Sequence, residues 1–291
     1  MGVEKLMEER SISVLMSVYK SESPDFLSRA LQSVWTDQLI KPHQIVLVQD
    51  GPIPDGLQTV IKQWESQLGE KLRVVKNEEN LGLTKSLNRG LQYVTSAYIA
   101  RMDSDDISVP NRFQLQMAFL QSHPHIDVVG GAIQEFEVEA ELGKIRFYPE
   151  DNDHILRSIH KASPLAHPAV MIRRSIFEGG IRYNEKYRTS QDLALWFDIL
   201  CANKQIANIS EVVLLFRRNQ NVLYRRAKYA NVKNEFDIYI KGIYRLHGLF
   251  TLKYLYPVAR FCFRLMPVKV VTMIYNSKIR QILIKSPKHV H

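Results

Sequence analysis

Three carboxylates crowd into four positions, Asp103, Asp105 and Asp106, directly after the apolar run YIARM at 98–102. At that spacing the charges repel one another unless a cation or solvent relieves them. Carboxylate oxygens are hard ligands for Mg²⁺ or Mn²⁺, ions that bind through one or two carboxylates together with the phosphates of a substrate. Asp-x-Asp alone recurs by chance in chains of this size, and its place after a buried strand is what gives it weight. A further acid, Asp50, follows the run IVLV in Gln49-Asp50-Gly51-Pro52. Taken singly it reads first as a turn former, because Asp-Gly pairs start turns.

The elements around these acids have a legible period. Residues 12–19, ISVLMSVY, predict a buried strand, and Ser23-Pro24-Asp25 supplies a cap, a first-turn proline and an acidic first turn for a helix. Leu27, Ala30, Leu31 and Val34 give that helix its apolar stripe before the chain returns through IVLV at 45–48. The unit repeats: a helix near 55–68, strand LRVV at 72–75, a helix near 83–93, then the strand at 98–102. Strands alternating with helices predict an α/β fold with a largely parallel sheet covered on both faces. Ligands of such sheets bind beyond the carboxyl ends of the strands, which sets Ser17-Val18-Tyr19, Asp50 and the 103–106 acids along one edge. Beyond Pro110 the pattern predicts a helix to about Gln121, then the run IDVVGGAI, whose paired glycines mark a bend or a close backbone approach. Residues 135–165 show no clear period. A strand AVMIR (169–173), a helix over 192–202 and a strand EVVLLF (211–216) complete the pattern.

With 291 residues, 45% hydrophobic and 24% charged, the chain has enough apolar side chains for a sizeable core, which excludes disordered and collagen-like classes. Cys201 and Cys262 stand too far apart for a Cys-x-x-Cys clip and fit a reducing compartment. The net charge of +9 is lopsided: from Arg217 to His291 sixteen Lys/Arg face only Glu235 and Asp237, or +14, which leaves −5 for residues 1–216. Such a basic tail meets phosphate, of nucleic acid or of an anionic lipid surface. No zinc-finger spacing, RNA-binding signature or arginine-rich repeat accompanies it, so no nucleic acid is expected. From Leu249 to Tyr275, basic residues and prolines interrupt the apolar stretches before any reaches the ~20 residues of a span. Lys253, Arg260, Arg264 and Lys269 beside those stretches suit helices lying at a headgroup boundary, or else a helical lid with a solvated basic rim. The N-terminal MGVEKLMEERS lacks the apolar core of a signal peptide, and Leu6 spoils a myristoylation site after Gly2. The expectation is a body on the synthesis side of the membrane.

SVLMSVYKSE, IVLVQDGP, NEENLGLTKSLNRGL, YIARMDSDDIS with Pro110 and Arg112, HPAVMIRRS and QDLALWFDIL, in that order and approximate spacing, resemble a family 2 glycosyltransferase. The likeness covers roughly residues 11–216 and is closest to bacterial enzymes that extend lipid-linked oligosaccharides for exopolysaccharide or surface antigen. It implies a GT-A type, Rossmann-like fold over 1–216. Its nucleotide-binding half would span about 11–110 and its acceptor half about 111–216, followed by a basic helical tail at 217–291 with amphipathic helices. It also implies a Mg²⁺ or Mn²⁺ cofactor, a nucleotide-sugar donor (a UDP-sugar favoured), a lipid-linked saccharide acceptor, and a peripheral position on an anionic membrane, the cytoplasmic face of the inner membrane.

Carried onto single residues, the resemblance implies that Ser17 and Tyr19 line the nucleoside pocket while Asp50 accepts a hydrogen bond from the base's imide N–H. Gly82 would let the backbone approach the nucleotide, and Lys85 would touch ribose or phosphate, or else be an exposed helix charge. Asp103 is expected near the ribose and metal and Asp105 as the direct metal ligand; Asp106 either joins them or caps the next turn. Inverting transfer needs a base for the acceptor hydroxyl, and the resemblance gives that role to Asp192, where the family's usual Glu-Asp reads Gln191-Asp192; otherwise Asp192 is a helix N-terminal acid facing the dipole. Trp196 stacks on acceptor sugar or packs in the core. His167 orders the acceptor side, approaches the metal, or is structural. Arg217 and Arg218 could reach the diphosphate when a loop closes. The Q-x-x-R-W signature of processive synthases is absent, which favours single additions. The glycine-rich loop of sugar-nucleotide pyrophosphorylases is missing from Tyr19-Lys20-Ser21-Glu22, and neither G-x-G-x-x-G nor a P-loop occurs. A non-catalytic membrane-surface nucleotide binder is the remaining rival.

Overall fold

The computed structural model describes residues 11–218 and 229–265. Its first half is the expected succession: β1 (Ile12–Val18), α1 (Pro24–Val34), β2 (Gln44–Gln49), α2 (Asp55–Leu68), β3 (Leu72–Lys76), α3 (Leu83–Leu91) and β4 (Tyr98–Arg101). These strands pair in parallel in the order β3-β2-β1-β4. Leu27, Ala30, Leu31 and Val34 of α1 are all fully buried, so the apolar stripe forms as its spacing requires.

The second half adds β5 (Ile107–Ser108), α4 (Arg112–Ser122), β6 (Ile126–Phe136), β7 (Leu142–Arg146), α5 (Asn152–Ser158), β8 (Met171–Arg173), α6 (Ser175–Glu178), α7 (Gln191–Cys201) and β9 (Gln205–Arg217). They extend the same sheet as β4-β8-β6-β9-β5, with β4–β8, β8–β6 and β9–β5 antiparallel and β6–β9 parallel. The sheet is therefore mixed, with helices on both faces. The unreadable stretch 135–165 holds the exposed strand β7, hydrogen-bonded to β6, and the short α5. Gly130 and Gly131 are a close approach: a Cβ on the first would run into Asn208 and on the second into Val213.

Strand alternation sorts side chains between two cores. Val14, Met16, Ile45, Leu47 and Ala100 pack with α1, α2 and α4. Leu15, Val46, Val48 and Ile99 face the other way and join Leu87 of α3 and Leu193, Trp196 and Phe197 of α7. Arg101, two residues after Ile99, thus projects on the α7 side at the carboxyl edge of the sheet.

The expected boundary between body and tail moves. Residue 217 ends β9, and α8 (Tyr229–His247) buries Val232, Ile238, Tyr239, Gly242 and Ile243. A Cβ at Gly242 would run into the Phe197 ring, so glycine lets α8 lie close on α7. The first helix of the basic segment is part of the body. The unpartnered apolar surface begins after it, at Leu249, Phe250 and Leu252, and continues through Leu255, Val258 and Leu265 of α9 (Leu255–Leu265), a helix with only Pro257 buried. No helix among the described residues is long and apolar enough to cross a membrane. Lys269 and the rest of the expected interfacial segment lie outside the described residues.

Candidate functional site

After Arg101 the chain leaves the sheet through Asp103-Ser104-Asp105-Asp106 and returns as β5, which is hydrogen-bonded to the end of β9. Arg217, on β9, fixes this loop: its backbone N–H donates to Asp106 Oδ1 at 2.8 Å and its Nε donates to the Asp105 carbonyl at 2.8 Å. Its guanidinium is held between Phe26 and Phe136, 3.8 and 4.4 Å from the ring centroids. Ser104 Oγ donates to Glu22 at 2.7 Å, tying the loop to the β1–α1 turn, and Arg101 pairs with Asp103. One carboxylate oxygen from each of Asp103, Asp105 and Asp106 lies within 4.8 Å of the others.

This crowding is felt electrostatically. Burial, then the charges of Asp103 and Glu22, push Asp105 up to about 7. Burial, then Asp103 and Asp105, raise Asp106 well above the usual carboxylate range. Asp106 Oδ2 is buried without a hydrogen-bond partner. An oxygen-only donor set, mutually repelling and with one buried lone pair unused, fits a hard divalent ion. Asp103, Asp105 and Asp106 are the residues that would hold it. Asp106 does not cap the following turn by its side chain; Oδ1 is bound to the Arg217 backbone instead.

Asp50 behaves in the opposite way. Its Oδ1 accepts from Asn77 Nδ2 (2.9 Å) and the Leu81 backbone N–H (2.8 Å), and its Oδ2 from Asn80 Nδ2 (2.9 Å) and the Gly82 N–H (2.9 Å). A carboxylate offers about four lone-pair sites, and all are used. Asp50 is thus the anchor of the 77–82 loop. Gly82, at φ +87°, makes the turn into α3 in a conformation that suits glycine. Lys85 is exposed in the first turn of α3, Ser17 is half-buried on β1, and Tyr19 is exposed at the strand end.

Asp192 is the second residue of α7 and half-buried. The segment leading to it is tied to α3: Thr84 Oγ1 donates to the Tyr187 carbonyl (2.6 Å), Asn88 Nδ2 to the Tyr183 carbonyl (2.8 Å), and the Tyr183 N–H to Asn88 Oδ1 (3.0 Å). The loop that Asp50 anchors and the segment that carries Asp192 are thus one hydrogen-bonded unit.

For two residues the structure selects one of the stated alternatives, and a third turns away from the loop. Trp196 is fully buried, edge-on to His167, so it is core and presents no face to a sugar. His167 is buried and outside the carboxylate cluster; its Nε2 meets the Tyr183 hydroxyl at 2.8 Å, and burial followed by the Arg101 charge lowers its pKa well below 6.5, so it stays neutral. It braces Tyr183. Arg218 turns toward the β6–β7 hairpin, 3.6 Å from Glu135 and 3.9 Å from Glu137, away from the carboxylate loop. Sequence reasoning passed over Arg101, although a charged residue inside the strand run YIARM was a visible signal. It also passed over Glu22 and Arg188, whose guanidinium lies over Gly82.

Residues 13–180 match the family model Glycosyl transferase family 2. The amylovoran biosynthesis glycosyltransferase AmsE of Erwinia amylovora is 34% identical over 267 residues, covering 91% of this chain and 97% of that protein. A UDP-Gal:alpha-D-GlcNAc-diphosphoundecaprenol beta-1,3-galactosyltransferase of Escherichia coli is 31% identical over 276 residues, covering 93% and 97%. The crystal structure of S. aureus TarS 1–349 in complex with UDP-GlcNAc superposes with a TM-score of 0.65 at 19% identity, over 94% of this chain and 76% of that one, a likeness of fold. With the family model spanning more than half of the chain and relatives above 30% identity along nearly all of it, the mixed sheet is the GT-A type fold its motifs resembled, and the chain belongs to glycosyl transferase family 2 and is a glycosyltransferase.

Proposed function

We propose that this enzyme moves one sugar from a UDP-sugar to a hydroxyl of a lipid-linked saccharide in bacterial polysaccharide biosynthesis, with inversion and with Mg²⁺ or Mn²⁺. The observation that carries the reading is the convergence of Asp103, Asp105 and Asp106, two of them with raised pKa values and one with an unused buried oxygen. The printed activities of the relatives support the donor and acceptor classes: one galactosyltransferase is named for UDP-Gal and a diphosphoundecaprenol-linked GlcNAc, and a fold neighbour binds UDP-GlcNAc.

In this reading Asp105 and Asp106, with Asp103, hold the ion. When bound, it supplies positive charge to the departing diphosphate. Ser17 and Tyr19 line the nucleoside side, and Gly82 leaves room for the backbone of the 77–82 loop to approach it. Lys85 and Arg188 lie on the same rim as cations for ribose or phosphate. Asp192 accepts the proton of the acceptor hydroxyl at a carboxylate oxygen as that hydroxyl attacks the anomeric carbon in line. Arg217 acts on the diphosphate side by holding the carboxylate loop.

The exposed apolar surface at Leu249, Phe250, Leu252 and Leu255 supports peripheral attachment to a bilayer, while Arg260 and Arg264 beside it pair with Glu235 and Lys253 donates to the Leu156 carbonyl. Product release from a panel of UDP-sugars, with Mn²⁺, Mg²⁺ or EDTA, tests the reaction. Metal-dependent turnover abolished by Asp192→Asn supports it, and turnover indifferent to both chelation and that substitution refutes it.

A further inference from the structure

Arg101 is the least explained side chain in the site. It is 2% exposed, on the last residue of β4, and its Nη2 pairs with Asp103. Its Nε and Nη1 are buried and have no hydrogen-bond partner. A guanidinium carries five N–H donors, and a buried donor left unmade bears its full desolvation cost. An apolar residue would fill this strand position more cheaply. The unmet donors call for an acceptor that the described residues do not supply.

Its position says which acceptor. Arg101 projects on the face of the sheet that carries α3 and α7. Tyr183, on the same side of the sheet, feels the charges of Arg101, Asp192 and Asp103. If Asp103, Asp105 and Asp106 hold the diphosphate end of the donor and Asp192 meets the attacking hydroxyl, the transferred sugar must lie between them, beside Arg101. Asp103 meets Nη2 and the charge of Asp106 also bears on the guanidinium, while the neutral His167 and Tyr183 occupy one another at 2.8 Å. Nε and Nη1 are left for an oxygen of the bound donor.

We propose that Arg101 reads a hydroxyl of the transferred sugar, and so sets which sugar the enzyme accepts. The proposal rests on the nucleotide-sugar reading above. Asp103 holds the guanidinium in place, and the two free nitrogens donate to ring hydroxyls that differ among hexoses. A site built to hydrogen-bond a hydroxyl rejects the analogue that lacks it far more strongly than an apolar pocket rejects an extra group, because its own donors are then stranded.

The test is a binding cycle on the full chain by calorimetry, with Mn²⁺. UDP, UDP-galactose, UDP-glucose and UDP-N-acetylglucosamine are titrated, followed by monodeoxy analogues of the tightest sugar donor, into wild type, Arg101→Lys and Arg101→Gln. Thermal melts confirm that each variant is folded; the lysine keeps the charge beside Asp103, and the glutamine keeps a donor without it. The expected result is one deoxy analogue that binds wild type about 10-fold or more weakly, while the same deoxygenation costs Arg101→Lys less than about 3-fold. UDP itself should bind both within about 3-fold. Deoxy analogues that weaken wild type and Arg101→Lys equally would overturn the proposal. So would a loss of UDP affinity as large as the loss of UDP-sugar affinity, which would make Arg101 only a support for Asp103. Failure of wild type to bind UDP with Mn²⁺ would remove the donor reading beneath it, and is seen before any variant is measured.

Discussion

The ends of β2 and β4 both deliver aspartates to the same edge of the sheet, and the fold treats the two charges in opposite ways. Asp50 receives four donors from residues 77–82 and is complete within the polypeptide. Asp103, Asp105 and Asp106 are set against one another and against Glu22, with Arg101 paired to Asp103, Arg217 on the Asp105 carbonyl, and an oxygen of Asp106 left without a donor. A carboxylate satisfied by backbone N–H groups stabilises the loop it binds. A cluster left in mutual repulsion raises the free energy of the folded chain, and either protonation or a cation relieves it. The first end is structure, and the second is stored affinity.

Removing each acid should therefore have opposite signatures. Asp105→Ala is expected to lower transfer about 10²- to 10³-fold while leaving the melting temperature in EDTA equal to or above that of wild type. A variant that melts lower and keeps its turnover would erase the contrast. Asp50→Ala strands four donors, two of them backbone N–H groups. It should cost about 3 kcal/mol of stability in urea denaturation, with Mn²⁺ affinity of the folded protein changed less than about 3-fold. A near-silent substitution there would mean that the 77–82 loop does not depend on its anchor.

The pH dependence sharpens the same contrast. Asp105 is pushed up from 3.8 to about 7, so the folded chain binds that proton more tightly than the unfolded chain does. Its stabilising contribution is full below 3.8 and is lost as pH rises through about 7. In EDTA, denaturation free energy should fall over that window, on the order of 1–2 kcal/mol, and the fall should be flattened in Asp105→Asn. Added Mn²⁺ should restore stability on the alkaline side. A flat profile for wild type in EDTA would contradict the repulsion. The smallest effect is expected at Arg218, itself exposed, 3.6 Å from Glu135, which Arg146 also meets, and 3.9 Å from the exposed Glu137: Arg218→Ala should change turnover less than about 2-fold and stability by less than ~0.5 kcal/mol.

How far the site could be read from the chain follows from the range of the interactions. The three acids after YIARM were visible because the contacts that make them unusual are local in sequence. The role of Asp50 was hidden, because its donors come from 27 to 32 residues downstream and no single-residue pattern records them. Trp196 was ambiguous because α7 is buried on most of its circumference, so helical period alone does not separate a ligand face from a core face. The membership of α8 in the body was masked by charge: its buried positions are spaced as an amphipathic helix, but the basic composition around them drew attention to the surface. Arg101 was overlooked because the strand reading absorbed it. Its meaning depends on two nitrogens that lack partners, a property of coordinates and not of spacing.

The account depends most on the carboxylates of the 103–106 loop gathering a divalent ion with the donor's diphosphate. Electron paramagnetic resonance of Mn²⁺ titrated with UDP into the full chain measures this directly. The expected result is one tightly held ion per chain that requires UDP for full occupancy, is lost in Asp105→Asn, and is retained in Asp192→Asn. Equal Mn²⁺ binding by wild type and Asp105→Asn, or none by wild type with UDP present, would contradict it.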